Sequence, residues 1–318
     1  MPKPVPKAGE LPLQHIREEI VSDLLRKQAQ ISPKYFYDVL GSKLFEAICE
    51  LDEYYLTRTE AGIFQNFAAE IARCCGRSVT LIDLGAGNCA KAARLFASLR
   101  PAQYVPIDIS AEFLAHAVLP LQARHPELDI LPLAQDFSER LFLPAQVRRH
   151  RRLFFYPGSS IGNFSPLQAL QFLKHVRDIC AEPDAAILIG VDLVKDPAEL
   201  VAAYDDALGV TAAFNRNILL HVNRILGADF ALEDWRHRAA FNAEQGRIEM
   251  RLVAAADVRV AWPGGGRAFL AGETIHTENS YKYSKERFLE LLREAGFGHA
   301  TCWSDDKARF LVCHARPV

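Results

Sequence analysis

The chain has 318 residues, half of them hydrophobic, with 37 basic against 39 acidic side chains and a formal net charge of -2. That length suits one large or two modest domains with a sizeable core, and the near-neutral balance excludes nucleic acid as a partner, the short run Arg148-Arg149-His150-Arg151-Arg152 reading as a solvated loop. Seven cysteines without disulfide-scaffold or zinc spacing read as reduced thiols of a cytoplasmic protein, and none of the ten histidines has metal-ligand spacing, so no metal is expected.

Residues 1–12 are rich in Pro and Lys and are expected to be disordered. They lack the apolar core of an export signal, and no later run approaches the ~20 apolar residues of a membrane span. A monomer away from membranes is expected. From His15 to Gln30 apolar residues recur at helical spacing until Pro33. The next thirty or so residues are unusually aromatic: Tyr35, Phe36, Tyr37, Phe45, Tyr54 and Tyr55. Such side chains are mostly core, but beside Gly41-Ser42 and Asp52-Glu53 a phenol can keep its hydroxyl available.

From Glu60 the rhythm becomes α/β. A helix over 60–75 leads to a strand over 79–84, and the chain then turns through Gly85-Ala86-Gly87 into a helix over 89–99. Glycines there let the backbone approach a nucleotide-like ligand at a helix N-terminus, although Ala90 stands at the third position of the dinucleotide pattern. The strand QYVPIDIS ends near Asp108, 23 residues after Gly85 and at the distance expected of a ribose-binding acid. Asp108 and Ser110 are also candidate caps for the helix over 111–124. A strand over 129–134 precedes Asp136-Phe137, an acid for an exocyclic amine and a ring to cover adenine. The strand 153–156 leads into PGSSIGNF, whose Gly158 to Asn163 should face the ligand crevice, and a helix over 166–180 leads to the strand AAILIGVDLV.

Residues 195–282 interrupt this pattern with a helical stretch broken at Gly209 and two stretches of strand-like alternation. The rhythm then resumes with a helix over 284–295 and strands over 299–305 and at RFLVCHAR, an antiparallel pair at the sheet edge. Seven strands closing in such a hairpin point to an α/β, Rossmann-like class I S-adenosylmethionine-dependent methyltransferase. On this reading 59–193 and 283–318 form the methyltransferase domain. A smaller α+β substrate-binding domain is drawn from 13–58 and 194–282.

Five blocks carry a closer resemblance: FYDVLGSKLFEAICELDEYYLTRTEAGI, IDLGAGNCAKAARL, YPGSSIGNF, AAYDDALGVTAAFNRNIL and IHTENSYKYS. With them the chain resembles the L-histidine Nα-methyltransferases, which make hercynine in the first step of ergothioneine biosynthesis. The resemblance implies Gly85, Lys91, Asp108, Asp136 and Phe137 for S-adenosylmethionine. It implies Tyr37, Tyr54, Gly158, Asn163, Tyr204, Glu278 and Ser280 for a small amino-acid substrate, with Tyr37 and Asn163 in catalytic roles. Asn88-Cys89-Ala90 departs from the more polar turn of the family, which implies a different hold on the methionine end of the cofactor there. Glu278 and Ser280 lie two apart on a strand and share a face, where both can address one imidazole. The rival readings are the same chemistry on tryptophan or a derivative, which retained Glu278 and Ser280 argue against, and a binding protein without turnover.

Overall fold

The computed structural model describes residues 13–138, 141–180, 182 and 184–318; the segment 1–12, expected to be disordered, lies outside them. The chain divides into two compact units. One comprises Leu56–Val194 and Tyr281–Val318, and the other the described residues up to Tyr55 together with Lys195–Ser280.

The first unit is built on one sheet. Its strands run, edge to edge, Phe297–Ser304, Phe310–Pro317, Ala186–Asp192, Arg152–Tyr156, Thr80–Leu84, Gln103–Asp108, and finally the short pieces Asp129–Ile130 and Leu133–Ala134. All neighbours are parallel except the closing hairpin and its junction with Ala186–Asp192. This is the expected seven-position Rossmann-like sheet. Every residue of Thr80–Leu84 and of Ala186–Asp192 is buried, as parallel strands covered on both faces must be.

Three expected elements are broken. The strand over 129–134 is interrupted at Pro132, which has no N–H for the ladder; Leu131 N donates to Tyr104 O at 2.9 Å and Gln135 N to Asp108 O at 3.0 Å on either side. The helix over 89–99 is two single turns, Ala90–Ala93 and Phe96–Leu99. The helix over 60–75 is Tyr55–Asn66 followed by Ala68–Cys75. By contrast Pro166–Ile179 starts at a capping box, with Ser165 and Gln168 satisfying each other's backbone N–H.

The second unit holds a four-stranded sheet in the order Ala29–Gln30, Thr274–Tyr281, Arg247–Ala254 and Trp235–Asn242, and a separate hairpin of Val258–Trp262 with Gly265–Phe269. The helix expected to run to Gln30 is Leu13–Leu25; Ala29 and Gln30 instead pair in parallel with Ile275 and His276. The long helix Val210–Leu226 begins at Gly209, whose φ of 75° places it in the left-handed region. It buries Phe214, Asn215, Ile218, Leu219 and Val222. Among the described residues no helix is long and apolar enough to cross a membrane.

Candidate functional site

In the first unit the chain leaves Thr80–Leu84 through Gly85 and Gly87, at φ +75° and +52°. The N–H groups of Gly85 and Ala86 both donate to Ile107 O, at 2.9 and 3.0 Å, tying the turn to the neighbouring strand. Asp108 completes that tie. Its Oδ2 accepts from Gly87 N at 2.9 Å and its Oδ1 from Ser110 N at 3.0 Å, so the acid singled out for ribose also builds the glycine turn. Burial raises its pKa, and the hydrogen bonds from Ser110 and Gly87 oppose that rise. The cap of the helix Ala111–Arg124 is not made by the Ser110 side chain.

Phe137 faces the same turn: a side chain on Gly85 would place its first carbon 3.7 Å from Phe137 Cζ. The Phe137 ring meets Tyr156 edge-on at 5.9 Å and leans on Phe172 at 6.1 Å, which fixes its plane. Asp136 beside it is oriented by its own turn, Oδ1 accepting from the backbone and hydroxyl of Ser138. Asp108 and Phe137 thus both approach the glycine turn, Asp108 through Gly87 and Phe137 at Gly85, and Asp136 adjoins Phe137 in the chain.

Beneath the turn lies a cluster that sequence reasoning missed. Asp83 is buried; its Oδ2 accepts from the Tyr104 hydroxyl at 2.7 Å, while Oδ1 has no partner. Desolvation pushes the Asp83 carboxyl up to about 7, against the pull of Tyr104 and Lys91. Cys89, also buried, shares the Tyr104 hydroxyl, and burial holds its thiol at about 12, inert as a nucleophile. Asn88-Cys89-Ala90 therefore has a structural account. Asn88 Oδ1 accepts from Ala90 N at 3.1 Å, and Cys89, at φ 61°, turns its side chain into the core.

Lys91 stands on the first single turn and donates to Glu60 Oε2 at 2.8 Å. The other oxygen of Glu60 accepts from Gly158 N, also at 2.8 Å. Gly158, at φ +78°, approaches Lys91 closely: a side chain there would place its first carbon 2.7 Å from Nζ. Next to it Ser159 Oγ accepts from Asp192 N at 2.9 Å, and the segment closes as a single turn of 3-10 helix, Ser160–Asn163, ending in half-buried Asn163. Asp192 in turn pairs with Lys282 at 2.8 Å, both side chains fully buried.

In the second unit five expected residues gather. Tyr54 and Tyr204 meet edge to face at 6.2 Å, and Phe45 lies between Tyr37 and Tyr54 at 5.9 and 6.1 Å. The Tyr204 hydroxyl is 2.8 Å from Ser280 Oγ. Burial lifts the Tyr54 pKa well above its ordinary value, and the nearby Tyr204, Tyr37 and Glu278 lift it further, so all four side chains share one electrostatic neighbourhood. Glu278 is half-buried and Ser280 buried on the strand Thr274–Tyr281. A second missed set supports them. His237 Nε2 donates to Tyr204 O at 2.8 Å, Asn215 Nδ2 donates to His237 Nδ1 at 2.8 Å, and Thr277 Oγ1 donates to Asn215 Oδ1 at 2.8 Å.

The glycine turn, the acids of three successive strands and the unpartnered Asp83 oxygen suit a nucleoside ligand that carries a cationic end, as S-adenosylmethionine does. Among the described residues no group of three or more His, Cys, Asp or Glu side chains is placed to hold a metal ion.

Comparison with known proteins agrees along nearly the whole chain. The family described as histidine-specific methyltransferase, SAM-dependent, matches residues 16–317. A histidine N-alpha-methyltransferase of Mycolicibacterium smegmatis is 40% identical over 309 residues, covering 95% of each chain. Its counterpart from Mycobacterium tuberculosis is 39% identical, covering 95% of this chain and 94% of that one. An ergothioneine biosynthesis protein 1 of Neurospora crassa is 32% identical over 91% of this chain, which spans 34% of that longer protein.

Proposed function

Because this chain belongs to the histidine-specific, S-adenosylmethionine-dependent methyltransferases, we propose that it trimethylates the α-amine of free L-histidine to hercynine, the opening step of ergothioneine biosynthesis. We take it to act as a cytoplasmic monomer without a metal. The observation that carries the substrate assignment is the gathering of Tyr37, Tyr54, Tyr204, Glu278 and Ser280 in one neighbourhood of the second unit.

When bound, S-adenosylmethionine supplies an electrophilic methyl group on a sulfonium. Gly85 offers close backbone approach, Asp108 keeps acceptor capacity for ribose hydroxyls beyond its two backbone bonds, and Asp136 with Phe137 takes the adenine. Lys91 holds the carboxylate end.

In the second unit Tyr204 is a neutral donor for the substrate's carboxylate and adds no second cation beside a sulfonium; Asn163 keeps the substrate role that the family resemblance implies. Ser280 supports Tyr204: when its hydroxyl donates across the 2.8 Å contact, the phenol proton is left for the substrate. Glu278 accepts from an imidazole N–H, and Tyr54 addresses the other ring nitrogen. The raised pKa keeps Tyr54 a neutral phenol, a donor and not a base. Tyr37 orients the amine lone pair. Catalysis rests on that orientation more than on proton transfer, since a tyrosine of pKa near ~10 is a weak base. The rings of Tyr37, Phe45 and Tyr54 offer faces to a quaternary ammonium product.

The test is incubation with histidine and S-adenosylmethionine, read by mass and by tandem fragmentation. A product heavier by three methyl groups, all on the α-nitrogen, is expected. Methylation of the ring alone, or equal turnover of tryptophan in competition, would overturn the assignment.

A further inference from the structure

Glu60 sits on the helix Tyr55–Asn66 with 1% of its surface exposed, and nothing in the roles assigned above uses it. Burying a charged carboxylate costs free energy that hydrogen bonds to both oxygens offset. Here they are engaged by two different segments: Oε2 accepts from Lys91 Nζ and Oε1 from Gly158 N, each at 2.8 Å.

The neighbouring backbone is shaped around this group. A side chain on Gly190 would put its first carbon 2.3 Å from Glu60 Oε1, and one on Gly158 would meet Lys91 Nζ. Both positions stay bare, and the carboxylate fills the space between Lys91, Gly158 and Gly190.

We propose that Glu60 is the positioning residue that sets Lys91 and the Gly158–Asn163 segment together, so that one carboxylate governs both cofactor affinity and the placing of the amino-acid substrate. This rests on the functional reading above. Lys91 stands on a single helical turn and has a long flexible stem; a charge-assisted hydrogen bond from a rigid helix fixes Nζ and leaves two N–H groups for an anion. The same bond balances the lysine charge, so the site adds no net repulsion toward a sulfonium. Through Oε1 it also holds the N–H at the head of the segment that ends in Asn163.

The experiment compares wild type, Glu60→Gln and Glu60→Ala as full chains, by calorimetric titration with S-adenosylhomocysteine, steady-state kinetics with histidine, and thermal melts. In Glu60→Gln the amide oxygen still accepts from Gly158, but the amide nitrogen cannot accept from Lys91. Its S-adenosylhomocysteine affinity should fall on the order of tenfold, with a smaller loss of kcat than in Glu60→Ala. Glu60→Ala should lose the same cofactor affinity and, in addition, show a histidine KM raised on the order of tenfold and a lower kcat. Wild-type affinity in Glu60→Gln, or the same kinetic pattern in both variants in step with their melting temperatures, would overturn the proposal alone. Failure of wild type itself to bind S-adenosylhomocysteine would overturn the functional reading with it.

Discussion

Asp83 shows how far one side chain can be pushed by its surroundings. Its unfolded pKa is about 3.9, whereas burial raises the folded value to about 7. Over that interval the native state holds a proton that the unfolded state has released, so the contribution of Asp83 is fully present below about pH 4 and is lost as pH rises through about 7. Asn does not titrate, and its amide oxygen can still accept from Tyr104. The stability difference between wild type and Asp83→Asn should therefore shift in favour of the variant from pH 4 to pH 7 and level off above; denaturant melts at pH 5 and 8 measure it. A gap independent of pH would mean an ordinary carboxylate. At Glu278 the expected loss is of specificity. Glu278→Ala should lower kcat/KM for histidine by on the order of a hundredfold while leaving S-adenosylhomocysteine affinity within about twofold. Equal losses in both would make Glu278 a structural residue.

Elements were legible in the sequence where their pattern was strong. The central strands, buried on both faces, read as apolar runs, and Ala111–Arg124 and Lys285–Glu294 carry clear helical spacing. Trp235–Asn242 was missed because Arg236, His237 and Arg238 mask an edge strand behind charge, and Ala29–Gln30 because both residues are good helix formers. The turn and its acids were legible through spacing and the substrate residues through the family blocks. Their supports were not: Glu60 reads as a solvated helix charge, and Asn215, His237 and Thr277 meet only across three elements. That relay joins the helix Val210–Leu226 to the strands Trp235–Asn242 and Thr274–Tyr281 at the residue before Glu278. Burial holds His237 below its ordinary pKa, which keeps Nδ1 an acceptor for Asn215. Asn215→Ala should cost about 2 kcal/mol in stability, by stranding His237 and Thr277, and should raise the histidine KM without changing cofactor affinity. Unchanged KM at reduced stability would confine the relay to packing.

On the scale of the whole molecule, the described residues pass between the two units three times, at residues 55/56, 194/195 and 280/281. The second unit is thus assembled from two stretches that lie far apart in the chain. Ala29–Gln30 completes a sheet whose other strands come after residue 234, and Tyr54 meets Tyr204, and Tyr37 meets Phe214, from the opposite stretch. Substrate preference is consequently not a portable cassette. A chimera that grafts 195–280 from a relative of different preference onto this chain would pair a foreign strand with native Ala29–Gln30 and set foreign partners against native tyrosines. It should turn over neither parent's amino acid well, whereas grafting 13–55 along with 195–280 should carry the donor's preference across, as competition between the two amino acids would reveal. Recombination that respects the linear order of the chain would therefore split this specificity, and a change of substrate has to be made on both stretches at once.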